Sequence, residues 1–373
     1  MTQVAIVGAG IVGLAIADEL TRAGAVVDLF EKESETGTEA SWAAAGILSP
    51  QTEVTGPGPF LDLMLMAHSL IPETVVRLQS LSGIDLSYRA SGTLGVALSD
   101  SDEKELEQQG SWQKKAGIRV ERLSASQVKS LEPNVDGAVR WGFFWPQTAQ
   151  INNRGMVEAY RKAVRKQGAT IHRHQSVRRF LLDKETAVGV ETDQGEIRAD
   201  WIVNAAGSWA GFDATLPFQI PVIPVKGQIL QFRSKGPVVR RVVKSPRAYL
   251  VQRTPEQLIV GTTVERVGFD KSVTSEGKES IREGIREISS AIDSCSFETA
   301  WAGLRPGTPD GLPILGASPV KNLLCATGHY RNGILLAPLT GRIIAEQIVH
   351  GRSSIDLSPF GVERFSQKPL MSQ

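Results

Sequence analysis

The sequence predicts an α/β chain in which a Rossmann-type nucleotide-binding domain is interleaved with a second domain built on a large, mainly antiparallel sheet. Three observations predict it. An apolar run near the N-terminus ends in G-x-G-x-x-G and leads into a helical pattern. Two later apolar runs, "DWIVNAAG" and "NLLCATG", end in small-residue turns of the same kind. Between them, "PVIPVKGQILQF", "AYLVQR" and "QLIVGTT" have the character of antiparallel strands. At 373 residues the chain is long enough for two cores, at roughly one domain per 100–200 residues.

In "QVAIVGAGIVGLAIADELTRAGAVVDLFEK", Val4 to Val7 form the apolar run that a parallel strand covered on both faces requires. Gly8 permits the tight turn, Gly10 lets backbone approach a pyrophosphate, and Gly13 lets the helix pack closely on the strand. Ile11 and Val12 open that helix, whose free N–H groups would meet the phosphates. Gly24 ends it, and "AVVDLFE" is the second strand. Glu31 closes that strand 18 residues after Gly13, where a carboxylate accepts hydrogen bonds from ribose hydroxyls and repels a 2′-phosphate. The fingerprint does not distinguish NAD from FAD.

Further along, "FLDLMLMAHSLI" is short and interrupted by Asp62 and His68, below the ~20 apolar residues of a membrane span; His68 reads as a buried, satisfied side chain. "SDSDEKELEQQGSWQKKAG" is a solvated amphipathic helix capped by Asp100 or Ser101, and "SEGKESIREGIREISSAI" is another. "WGFFWPQTAQI" is an aromatic strand, read either as core or as a wall that excludes water from a pocket. "GMVEAYRKAVRKQGA" is helical, and "TIHRHQSV" is a strand placing His172 and His174 at i, i+2 without the acids or thiols a metal site would add. Ala205, Ala206 and Gly207 then allow a second close backbone approach, and "GHYRNG" a third. The helix in "ILLAPLTGRIIAEQIVHG" aims its positive N-terminal end at whatever those turns hold.

Lys and Arg number 41 against 40 Asp and Glu, a net charge of +1, so nothing recommends nucleic acid or an anionic membrane as partner. Cys295 and Cys325 lie too far apart in sequence for a disulfide framework or a metal knuckle, which fits a reducing compartment, with the cytoplasm as the expectation. An apolar strand and its glycine turn start at Val4, where a signal peptide would need a basic region and a cleavage site.

Two arginines stand in apolar company. Arg305, between Leu304 and Pro306, reads either as a carboxylate-binding fork or as a buried ion pair with Asp310. Arg331, in "GHYRNGILLAP", reads as a site residue or as a capped turn paired with a nearby carboxylate.

The segments "VAIVGAGIVGLAIADELTRAG", "SWAAAGILSP" with "AGLRPGTPDGLPILG", and "GHYRNGILLAPLTG" together resemble the D-amino-acid oxidase family of flavoproteins, most closely its glycine-oxidising members, over residues 1 to about 350. The resemblance implies FAD, held non-covalently because "WAGLRPGTPD" lacks the tethering cysteine of sarcosine oxidases. By the same resemblance Glu31 and Lys32 meet the adenosine, and Val177 the adenine side. Ser41 and Ala45, Gly46, Ile47 and Leu48 line the pyrophosphate and ring. Ala206, Gly207, Gly328, His329, Tyr330, Arg331, Asn332, Gly333 and Ile334 complete the cofactor set.

Arg305 is then the carboxylate fork, Tyr249 a further donor, and Arg331 a neighbour of substrate or a support for the backbone around the flavin. The implied domains are 1–85, 147–212 and 303–373 for FAD, and 86–146 and 213–302 for substrate. The implied reaction is oxidative deamination of glycine, sarcosine or short D-amino acids. The amine lone pair expels hydride from Cα toward flavin N5 without a protein base, and O₂ is the acceptor giving H₂O₂. A role in making the thiazole of thiamine, and a tetramer, follow from the same resemblance. Two rivals are a D-amino-acid or sarcosine dehydrogenase passing electrons to a quinone and a non-catalytic module that kept the dinucleotide fold.

Overall fold

The structure, a computed structural model, describes residues 1–366. Its centre is a six-stranded sheet in the order Ile314–Ala317, Leu323–Thr327, Trp201–Asn204, Gln3–Val7, Val26–Phe30, Thr170–His172; all neighbours are parallel except the first pair. The strand that opens the chain lies in the middle, and alternation along it explains its unbroken apolar run. Val4 and Ile6 pack into a cluster with the helices Ile11–Arg22, Pro59–Ser82, Asn153–Lys166 and Gly333–His350, whereas Ala5 and Val7 join Phe180, Val190 and Ile202 on the other face. That second face is covered by a three-stranded antiparallel sheet, Val177–Asp183, Thr186–Thr192 and Gly195–Arg198.

An eight-stranded sheet forms the second layer, in the order Ser296–Gly307, Ile223–Arg233, Gln257–Gly261, Tyr249–Thr254, Val242–Lys244, Thr93–Ala97, Trp141–Trp145, Glu121–Ser124. It is antiparallel apart from the pairing of Val242–Lys244 with Thr93–Ala97. One face buries Leu230, Leu250, Leu258 and Val260 against Ile281 and Ile285 of the helix Ser275–Arg286. The other lays Ile229, Tyr249, Val251, Ile259 and Trp301 over Ala43 and Ala45, so this sheet roofs a loop of the nucleotide-binding layer. The strand Ser296–Gly307 runs through the expected boundary at 302/303, and residues 367–373 of the last expected segment lie outside the described residues.

Several local expectations are corrected. "FLDLMLMAHSLI" belongs to a 24-residue helix that continues through Pro72 and is long and apolar enough, by composition, to cross a membrane; a face including Leu63, Met64, Ala67 and Ile71 is buried in the core instead. His68 is not satisfied, because its buried Nε2 has no hydrogen-bond partner among the described residues. The helix Asp100–Lys115 is capped by Ser99, whose hydroxyl accepts from the Asp102 N–H while Asp102 accepts from the Ser99 N–H. His172 ends its strand, stacks on Phe30 and meets Asp28 Oδ1 at 2.7 Å, but His174 sits beyond the strand in a left-handed turn, φ 52°. Trp141, Phe143 and Trp145 form core with Ala97 and Leu106 rather than a pocket wall.

Candidate active site

The carboxyl ends of the parallel strands converge on a cavity of about 270 Å³ lined by Gly8, Gly10, Ile11, Val12, Glu31, Lys32, Ser41, Val177, Ala206, Gly207, His329, Tyr330, Arg331, Gly333 and Ile334. The sequence had scattered these residues over more than 300 positions. Gly8 adopts φ +102°, and a Cβ there would lie 2.6 Å from the Ala205 carbonyl oxygen, so the first turn can only be glycine. A Cβ at Gly13 would overlap the Gly8 carbonyl, which fixes Gly13 as a packing residue outside the cavity lining.

The helix Ile11–Arg22 has Gly10 as its N-cap and no side-chain cap of the usual kind; among the described residues only the Ile11 N–H is met from outside, by Ser41 Oγ at 3.0 Å. Free N–H groups beside a backbone without side chains make a seat for a pyrophosphate. At the adenosine end, the Glu31 carboxylate accepts from the Ala9 and Glu33 N–H groups at 3.2 and 3.1 Å, and burial raises its pKa. Lys32 Nζ lies 3.5 Å over the Trp209 ring. These residues therefore fit a dinucleotide.

A second cavity, about 100 Å³, adjoins the first. Its walls are the loop from Ala43 to Ile47, with Tyr249, Thr262, Arg305, Tyr330, Arg331, Asn332 and Ile334. It continues into a wider antechamber past Glu53 and Lys244. Arg305 stands in the strand Ser296–Gly307, where neighbouring backbone fixes its fork: Nη1 donates to the Lys226 and Thr263 carbonyls at 3.3 and 3.2 Å, and Nη2 to Thr262 Oγ1 at 2.8 Å. The ion pair with Asp310 does not form, because Asp310 pairs with Arg364. Tyr249 opens its strand, buried, and burial pushes its phenol up, so it stays a neutral donor.

Arg331 precedes the helix Gly333–His350 and pairs with Glu53, Nε to Oε2 at 3.2 Å, while still lining both cavities. His329 is buried, its Nε2 3.0 Å from Thr340 Oγ1, and burial pulls its pKa down to about 4, so it is neutral at physiological pH. Of the other expected residues, Ala45, Gly46, Ile47 and Asn332 line the inner cavity, whereas Leu48 is buried in the helical core and Gly328 turns the chain at φ +72° outside the lining. No group of three or more metal-binding side chains occurs among the described residues. Thr262 and Glu53 escaped the sequence reading, since each acts through a partner, Arg305 or Arg331, remote in sequence.

The family model described as FAD dependent oxidoreductase (DAO) matches residues 3–347. The chain belongs to that family. FAD is accordingly the dinucleotide its cavity takes. Among relatives of this FAD-dependent oxidoreductase, the glycine oxidase of Pseudomonas aeruginosa is 32% identical over 361 residues, covering 96% of this chain and 98% of that one. The bifunctional protein ThiO/ThiG of Synechocystis sp. is 34% identical over 379 residues and covers all of this chain, which spans only 56% of that relative's length. The crystal structure of glycine oxidase from Geobacillus kaustophilus superposes with a TM-score of 0.93 at 30% identity, covering 98% of this chain and 99% of the other.

Proposed function

We propose that this FAD-dependent oxidoreductase oxidises glycine, and with it small amines such as sarcosine and short D-amino acids, using O₂. Glycine, O₂ and water would give glyoxylate, ammonia and H₂O₂. The observation that carries the reading is the guanidinium of Arg305, held by three backbone or hydroxyl acceptors in a cavity of about 100 Å³ beside the FAD cavity. Relatives named glycine oxidase, matched over nearly their whole length, support it.

A planar cation positioned by its own hydrogen bonds takes a carboxylate in one orientation, and Tyr249 adds a neutral donor. Ala43, Ala45 and Ile47 line the same cavity, whose volume of about 100 Å³ suits a small amino acid. Bound FAD supplies the two-electron acceptor for the Cα–H bond. Among the described residues lining this cavity, the only carboxylate is Glu53, already paired with Arg331, and there is no histidine. The amine must then bind in its neutral form, and the protein's contribution is to orient the substrate and exclude water.

Further parts of this reading are that the chain works in the cytoplasm as a homotetramer, that FAD is held without a covalent link, and that the imine product feeds thiazole formation for thiamine. The name ThiO/ThiG of a relative supports the last. The expected segment boundaries, one sheet for cofactor and one for substrate, belong to the same proposal. Anaerobic mixing with glycine, sarcosine and D-alanine tests the oxidation. Glycine should bleach the flavin and air restore it with release of peroxide; a flavin that stays oxidised with all three removes the reading.

A further inference from the structure

We propose that Arg253, backed by Arg154, raises the reduction potential of the bound flavin: it turns two peptide N–H groups of the inner cavity wall toward the ring and leaves an uncompensated positive charge behind that wall. The inference rests on FAD binding and not on which amine is oxidised.

Along the stretch from Ser41 to Gly46, whose part from Ala43 onward lines the inner cavity, each carbonyl is held from outside. Asn153 Nδ2 donates to the Ser41 and Trp42 carbonyls at 2.7 and 3.1 Å, and Arg154 Nε also donates to Trp42 at 3.2 Å. Trp301 Nε1 donates to the Ala43 carbonyl at 3.0 Å, and the Ile151 N–H to that of Gly46 at 2.9 Å. Arg253 takes the two in between: Nη2 reaches the Ala44 and Ala45 carbonyls at 3.4 and 3.1 Å, anchored by Asn153 Oδ1 at 2.6 Å.

In a trans peptide the N–H points opposite to its C=O. The N–H groups sharing peptides with the Ala44 and Ala45 carbonyls are those of Ala45 and Gly46, both residues of the cavity wall, and neither donates to any described residue. Arg253 thus aims two unused donors away from itself, at the inner cavity, where the substrate would meet the edge of the ring.

The charge follows from the surroundings. Arg253 is 7% exposed, reaches Ala45 on the side of the sheet where Tyr249 and Val251 pack, and its Nε has no partner among the described residues. Arg154 stacks 3.4 Å over the Trp42 ring, with Nη2 buried and unpartnered. No carboxylate pairs with either among the described residues, and burial lowers both to about 10, which still leaves them cations at neutral pH. In a poorly screened interior such a charge favours the extra negative charge of a reduced ring.

Removing the charge gives the test, on the FAD-loaded protein. Arg253→Met should lower the two-electron midpoint potential by about 30 mV, the equivalent of a tenfold change in the equilibrium constant. It should also weaken sulfite, which adds to flavin and leaves a negative charge there, by at least tenfold. Arg253→Lys keeps a cation and should recover most of the potential. A Met variant with the parent's potential and sulfite affinity overturns the proposal, and so does a Lys variant no better than Met. If Arg253→Met fails to hold FAD, Arg154→Gln decides: it leaves the bonds of Arg253 in place, a smaller fall in potential is expected, and an unchanged value overturns the idea.

Discussion

At the scale of single residues, what Arg305 does is set by what holds it. Its acceptors are two carbonyls and one hydroxyl, none of them charged, so the guanidinium keeps its full charge for a substrate while its plane is fixed. Lysine would keep the charge and lose the plane. In Arg305→Lys, the loss of a bidentate, charge-assisted pair should weaken carboxylate binding by roughly 1.5–3 kcal/mol, a rise in the KM for glycine of about 10–150-fold. Steady-state kinetics at full flavin occupancy checks it, and an unchanged KM would remove Arg305 from the carboxylate site. Arg305 and Tyr249 were singled out through the family resemblance, and folding brings both to the wall of the inner cavity. Thr262, Glu53, Asn153 and Arg253 were not, since their roles arise only from partners brought close by folding, as when Arg253 meets Ala45 across 208 positions.

Elements were read best where one local rule sufficed. Strand, glycine turn, helix and strand at the N-terminus all stand as expected, because sterics at Gly8 and two-sided burial of Val4 to Val7 leave few alternatives. The helix Pro59–Ser82 extends beyond the apolar stretch interrupted by Asp62 and His68, over a length that only packing reveals. The aromatic strand Trp141–Trp145 left open which face is core, and the helix Asp100–Lys115 decided it by covering that face. Glu31, just past the strand Val26–Phe30, gives the prediction for this scale. Its carboxylate already orders the Ala9 and Glu33 N–H groups, and it lies where ribose hydroxyls would donate. Glu31→Ala should raise the FAD dissociation constant at least tenfold, the lower end for a lost hydrogen bond to a charged group. Titrating apoprotein with FAD measures this. Relative rates with glycine, sarcosine and D-alanine at saturating FAD should not change; a shifted profile would contradict the placement.

For the whole molecule, the two layers meet around buried polar groups, and the pH dependence of global stability reports on them. His329 is the cleanest reporter, because it is 3% exposed, its listener is the neutral Thr340 hydroxyl, and its pKa falls to about 4 through burial alone. The unfolded chain restores an ordinary histidine pKa of about 6.5. Between those two values the unfolded state binds the proton and the folded state does not, so protonation favours unfolding there. The stability His329 contributes is complete above pH 6.5 and drains away as pH falls toward 4. At pH 5 the loss should reach about 2 kcal/mol. Burial raises the carboxyls of Glu31 and Glu132, which shifts stability with pH in the opposite sense, so a single profile mixes opposing effects. Comparison with His329→Gln isolates one of them, since glutamine can still meet Thr340 and carries no titrating proton. Urea unfolding of the FAD-loaded proteins at pH 7.5 and pH 5 should show the parent losing about 2 kcal/mol more than the variant. Equal losses would mean that His329 is protonated in the folded state, and that the floor of the cavity is wetter than its packing implies.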